Sequence, residues 1–154
     1  MKGALDATDL DILRILEKNA KAPIHIIAHK LSLPSSTVHH RIKQMEHNGV
    51  ILRWTIAKDY EKLGLGLKAH VLIYVDVPAL KKLHRTQQNV ANELAKIQGV
   101  EGADIIAGDA DIIIAVRSKD MASLQKLLLE KIQGIDGITK TKTLMVISGA
   151  QSSG

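Results

Sequence analysis

The chain has no cysteine and no phenylalanine, and only three of its 154 residues are aromatic: Trp54, Tyr60 and Tyr74. Without cysteine there are no disulfides, no thiolate-held zinc and no thiol nucleophile. With so few aromatics, the core must be built from Ile, Leu, Val and Ala, side chains that suit close packing of helices on a sheet. No apolar run approaches the roughly 18 residues of a membrane span, and the opening from Met1 to Asp11 carries acids where a signal peptide would be apolar. A cytoplasmic protein with no membrane partner is expected. No cofactor is expected.

An excess of acid is also missing. The formal charge is +5, which favours a polyanionic partner. The distribution sharpens the point, because residues 1–60 hold nine Lys/Arg against six Asp/Glu and five of the seven His. Proline is scarce as well, and Pro23, Pro34 and Pro78 all fall where the apolar pattern breaks.

Up to about residue 52 apolar residues recur at helical spacing. Asp6 or Thr8 can cap a helix over 9–19 with Leu10, Leu13 and Leu16 on one face, and a second helix is predicted over 24–31. Ser32-Leu33-Pro34 interrupts the pattern. Ser35 then reads as the N-cap of a third helix over 36–48, and Gly49 as its left-handed stop. Arg53-Trp54-Thr55-Ile56 alternates as a β wing would. A polar, Gly-punctuated seam at 58–66 reads as a linker between a domain at 1–57 and another at 67–148, followed by a tail at 149–154.

The second stretch reads β-α-β-β-α-β. Strands are predicted over 67–77, 100–107, 111–117 and 138–148. Between them lie one helix over 78–98, with Leu80, Leu83, Val90, Leu94 and Ile97 on a face, and another over 120–133. The fold class is therefore α+β: a winged helix-turn-helix followed by a ferredoxin-like antiparallel sheet with both helices on one face. The other sheet face would need covering, and a second copy of the chain does this most simply, so a homodimer is expected.

In the third helix Val38, Ile42 and Met45 fall at i, i+4 and i+7 and pin one side inward. The opposite side displays Ser36, Thr37, His39, His40 and Lys43, with Ser35 at its start. Hydroxyls and free N–H groups at a helix N-terminus suit phosphate oxygens, while His40 and Lys43 lie one turn on, within reach of base edges in a major groove. Arg53 in the wing is a further candidate for phosphate or the minor groove. An ordinary solvated helix face is the bland alternative; the helix, turn, capped helix and wing in sequence weigh against it. His39, His40 and His47 add positive charge in mild acid, so DNA binding is expected to be tighter at pH 6 than at pH 8. His25 and His29 share a metal-compatible i, i+4 spacing but have no third ligand nearby, and no metal is expected.

Three segments carry a more specific likeness: Leu5 to Leu13, Leu31 to Lys43, and Glu46 to Ile51. With Lys62-Leu63-Gly64, Gly108-Asp109-Ala110-Asp111 and Thr141-Lys142-Thr143 following in order, the chain resembles the Lrp/AsnC (leucine-responsive, feast/famine) transcription regulators over essentially its whole length. That resemblance implies a DNA-binding dimer, assembled further into tetramers or octamers. It also implies a C-terminal RAM domain that binds a small-molecule effector, such as an amino acid, between dimers. Gly108, Asp109, Ala110, Asp111, Thr141 and Thr143 would then contact the effector. Ala110 stands where the family usually carries an aromatic residue, and residues 78–98 make a longer stretch than the family's first helix and loop. Two other function classes stay open. One is an enzyme like the related sirohaem decarboxylases, although no catalytic constellation stands out and Asp109 and Asp111 read as turn residues. The other is an architectural DNA-binding protein without an effector.

Overall fold

The computed structural model describes residues 5–149. The described residues form two compact units, one ending at Ala57 and one beginning at Lys58. Residues 150–154 of the expected tail lie outside the described residues.

Three helices make the first unit: α1 (Ala7–Lys18), α2 (Ile24–Leu31) and α3 (Ser35–His47). A reciprocal capping box starts α1. The Asp6 carboxylate accepts from the Asp9 N–H at 2.9 Å, and the Asp9 carboxylate accepts from the Asp6 N–H at 3.1 Å. Ile12, Leu16, Ile27, Ala28, Val38, Ile42 and Met45 form the core, and the inward face of α3 is the one that the spacing predicts. Leu10, in contrast, is exposed.

Two details differ from expectation. Pro34, not Ser35, is the N-cap of α3: its carbonyl accepts from the Thr37 and Val38 N–H groups at 3.0 and 3.2 Å, which draws Ser35 into the first turn and leaves its hydroxyl without a capping bond. The run Arg53–Ile56 is not a strand, because among the described residues no other strand pairs with it. A strand needs a ladder partner, and alternation of side chains supplies none.

The second unit is a four-stranded antiparallel sheet in the order β2-β3-β1-β4, made of β1 (Leu67–Val75), β2 (Val100–Ile105), β3 (Ile112–Ser118) and β4 (Ile138–Met145). Ala69, Val71 and Ile73 of β1 and Ile112, Ile114 and Val116 of β3 face one way. They bury themselves against Leu80, Val90, Ala91, Leu94, Leu124 and Ile132 of the helices. Burying each large aliphatic side chain contributes about 1.5–3 kcal/mol, so this layer is the main source of cohesion in the unit. Alternate residues, Leu72, Tyr74, Ile113 and Ala115, lie on the face that carries no helix.

The single helix expected over 78–98 is two: α4 (Val77–Lys82) and α5 (Gln87–Leu94). His84 takes φ +53°, and Thr86 opens a fresh capping box with Asn89. Leu83, expected inward, is 51% exposed at the break. The later helix begins regularly as α6 (Met121–Lys126), capped by Asp120, and continues as a π-helical stretch over Leu127–Ile132. Strands β1 and β4 stop two and three residues short of their expected ends. Asp76 caps α4 immediately after β1, and Ile147 is 99% exposed beyond β4.

Candidate nucleic-acid interface and effector pocket

The helix α3 begins where Ser32 takes a left-handed φ of +53° and Pro34 fixes the extended approach. Its buried stripe leaves Ser35, Ser36, His39, His40 and Lys43 exposed, and Thr37 half-buried at the margin. Ser36, His39, His40 and Lys43 follow one another at i, i+3, i+4 and i+7, so they line a single side over roughly 10 Å of helix. These candidate residues are thus brought together by one element. Arg53 is exposed on the segment after the helices and lines a 270 Å³ cleft with Leu13, Trp54 and Thr55.

Two neighbours that sequence reasoning left out fix this helix. Arg41 Nη1 donates to Asp6 Oδ2 at 2.7 Å and to Asp9 Oδ1 at 2.8 Å, tying the middle of α3 to the capping box of α1. Asp6 is held below the usual aspartate range, first by the Asp9 N–H and then by the Arg41 guanidinium. Lys43 Nζ donates to Glu46 Oε2 at 2.8 Å, and Trp54 Nε1 donates to Glu46 Oε1 at 2.7 Å. These two donors, Lys43 foremost, hold the Glu46 carboxyl below its ordinary value. Lys43 to Glu46 is an i, i+3 spacing visible in the sequence, whereas the Trp54 bond depends on how the chain turns at Gly49, with φ +70°.

The residues expected around an effector divide into two groups. Thr141 and Thr143 lie on β4 and line a 530 Å³ cleft with Met121, Leu128, Leu129 and Gln133. Gln133 Nε2 donates to Thr141 Oγ1 at 3.0 Å, so this glutamine joins the group although no motif marks it. Gly108 and Asp109 are exposed in the connection between β2 and β3. They do not line the threonine cleft.

Ala110 is buried, with 5% of its surface exposed, so its methyl group is packed inside rather than presented. Asp111 is a staple: Oδ2 accepts from the Val75 N–H at 3.0 Å and Oδ1 accepts from Gln87 Nε2 at 2.9 Å. It thereby joins the end of β1 to the start of α5.

Among the described residues, no group of three metal-ligating side chains is assembled. In the same residues, no helix is long and apolar enough to cross a membrane.

Comparison with known proteins adds the lineage to this geometry. Residues 5–51 match a model of winged helix-turn-helix DNA-binding domains, and residues 73–153 match the Lrp/AsnC ligand binding domain. An HTH-type transcriptional regulator of Pyrococcus furiosus is 39% identical over 145 residues, 94% of each chain. The solved structure of E. coli AsnC is 26% identical, with a TM-score of 0.83 over 96% of this chain and 95% of that one. The feast or famine regulatory protein of M. tuberculosis, solved with L-methionine, superposes with a TM-score of 0.86 at 24% identity, over 97% of this chain and 96% of that one. The chain belongs to the Lrp/AsnC family of DNA-binding transcriptional regulators.

Proposed function

We propose that the protein is a sequence-specific, effector-modulated regulator that works in the cytoplasm as a homodimer, with dimers assembling further into tetramers or octamers, and that it is not an enzyme. Two α3 helices of a dimer enter successive major grooves, about 34 Å apart, of a pseudo-palindromic site. Ser35, Ser36 and Thr37 contact phosphate at the helix start, His39, His40 and Lys43 reach towards base edges, and Arg53 adds a contact from the following segment.

The observation that carries this reading is the division of α3 into a buried Val38–Ile42–Met45 stripe and an exposed polar side. The helix-free sheet face, with Leu72, Tyr74 and Ile113, supports pairing of two copies. Replacing Lys43 by Ala tests the interface. As a phosphate contact, its loss weakens binding to all duplexes and flattens the salt dependence by about 0.9 per chain. As a base contact, its loss lowers discrimination by about 1–3 kcal/mol. Retention of affinity, slope and discrimination together removes Lys43 from the interface.

The effector in this proposal is an amino acid or a related metabolite held between dimers. The L-methionine bound by the M. tuberculosis protein supports that class of ligand. Thr141, Thr143 and Gln133 from one chain offer hydroxyls and an amide. The Gly108–Asp111 connection does not line that cleft in its own chain, which favours a site completed by a neighbouring dimer. Ligand binding there shifts assembly or helix spacing, and DNA affinity follows by linkage. Calorimetric titration with an amino-acid panel, repeated on Thr143→Val, tests this. The expected result is heat with one class of amino acid, diminished in the variant. No heat from any member contradicts an amino-acid effector.

A further inference from the structure

Lys43 faces outward on the side of α3 assigned to DNA, yet its ammonium group is already engaged. It sits 2.8 Å from Glu46 Oε2, while the second oxygen of the same carboxylate takes the Trp54 indole N–H at 2.7 Å. A carboxylate with both oxygens occupied is held in place, and the indole that holds it comes from outside α3. This carboxylate is half-buried, the Lys43 side chain 62% exposed. The result is a fixed negative group beside a cation on a surface that must approach a polyanion.

That arrangement has a chemical consequence. A phosphate that takes one of the Lys43 N–H donors shares the ammonium's single positive charge with Glu46, so the ion pair weakens as the second anion binds and little attraction is left to gain. A guanine edge is different: its O6 and N7 are neutral acceptors, and a lysine ammonium with three donors can serve them while it keeps Glu46. We propose that Glu46, fixed by Trp54, is a specificity-determining residue that withholds Lys43 from phosphates and reserves it for base edges, so that random duplex is bound less tightly than the positive charge of α3 would allow. The proposal rests on α3 being the DNA-contacting helix. Glu46 acts here as a positioning residue, through Lys43.

The test uses the full chain with a random-sequence duplex and a duplex of selected genomic sequence, both of one length and titrated across a salt series, with Glu46→Gln, Trp54→Phe, Lys43→Ala and the Lys43→Ala/Glu46→Gln double variant. Glutamine still accepts the indole N–H but carries no charge to hold the ammonium group in an ion pair. Exposed ion pairs are modest, so E46Q is expected to tighten random-duplex binding on the order of fivefold. Its salt dependence should steepen by about 0.9 per chain as Lys43 gains a phosphate. W54F, which leaves the carboxylate unanchored, should move both quantities in the same direction by less. In the Lys43→Ala background, E46Q should change little, because the cation it releases is gone. Thermal melting of each variant checks that it is folded.

Unchanged affinity and slope in E46Q overturn the proposal. An equal gain in the Lys43→Ala background also overturns it, since the carboxylate would then act by direct repulsion and not through Lys43. If Lys43→Ala itself alters neither affinity, slope nor discrimination, the assignment of α3 fails, an outcome distinct from the other two.

Discussion

At the scale of single residues, the side chains that orient α3 matter as much as those it displays. Arg41 lies within the segment whose polar residues suggest DNA contact, but its guanidinium is spent on Asp6 and Asp9. Its replacement by Ala is expected to impair DNA binding by loosening the α1–α3 contact, with a lower melting temperature as the accompanying sign. A loss of affinity with no change in melting would instead make Arg41 a direct contact.

The same cluster predicts an acid response. Asp6 titrates lower in the folded chain than in an unfolded one, so its stabilising contribution is complete above the ordinary aspartate value of about 4 and is lost as pH falls through the depressed folded value. Asp6→Asn should therefore melt at a lower temperature than the wild type at neutral pH, and the gap should close progressively below about pH 4. A gap that stays constant down to strong acid would contradict the ion-pair account.

At the scale of elements, the helices of the first unit were legible chiefly through their apolar period. Asp6, one of the two caps that the sequence offers, starts α1, and Val38, Ile42 and Met45 announce the inner side of α3, whereas the cap expected at Ser35 falls to Pro34 and Leu10 turns outward. What escaped were features decided by partners far along the chain. The alternation of Arg53–Ile56 resembles a strand, but hydrogen-bonded pairing is a tertiary property. The break between α4 and α5 was hidden because Leu80 and Val90 keep a helical period across it, while His84 turns left-handed and Thr86 recaps the chain. Asp111 reads as a turn residue, and only the fold brings the Val75 N–H and Gln87 to it.

Packing of elements also makes Gly137 sensitive. Its φ is +95°, and a Cβ there would fall inside van der Waals contact of the buried Leu80 side chain. Gly137→Ala is expected to cost the second unit about 1–3 kcal/mol in urea unfolding. A change within about 0.5 kcal/mol would mean that the α4 packing yields easily.

At the scale of the whole molecule, the sheet has one face covered by helices and one that offers Leu72, Tyr74, Ile113 and Ala115. An Ile113→Lys chain is expected to shift from dimer to monomer in analytical ultracentrifugation. It should also lose most of its affinity for a two-half-site duplex, because the two recognition helices no longer bind as a linked pair. A dimer that persists would place the interface elsewhere. The residues expected around an effector divide within one chain: Thr141 and Thr143 sit together on β4, whereas the turn expected to face them does not line their cleft.

In the proposed regulator, the exposed side of α3 reads duplex DNA, two copies at a time. Hydroxyl-radical footprinting of the wild type and of Lys43→Ala on sites selected from genomic DNA tests it most directly. Two protected patches are expected about 10 base pairs apart, or a multiple of that spacing, on one face of the duplex, weakened together in the variant. Protection that is continuous and indifferent to sequence, or paired patches that the variant leaves intact, would contradict this role of α3.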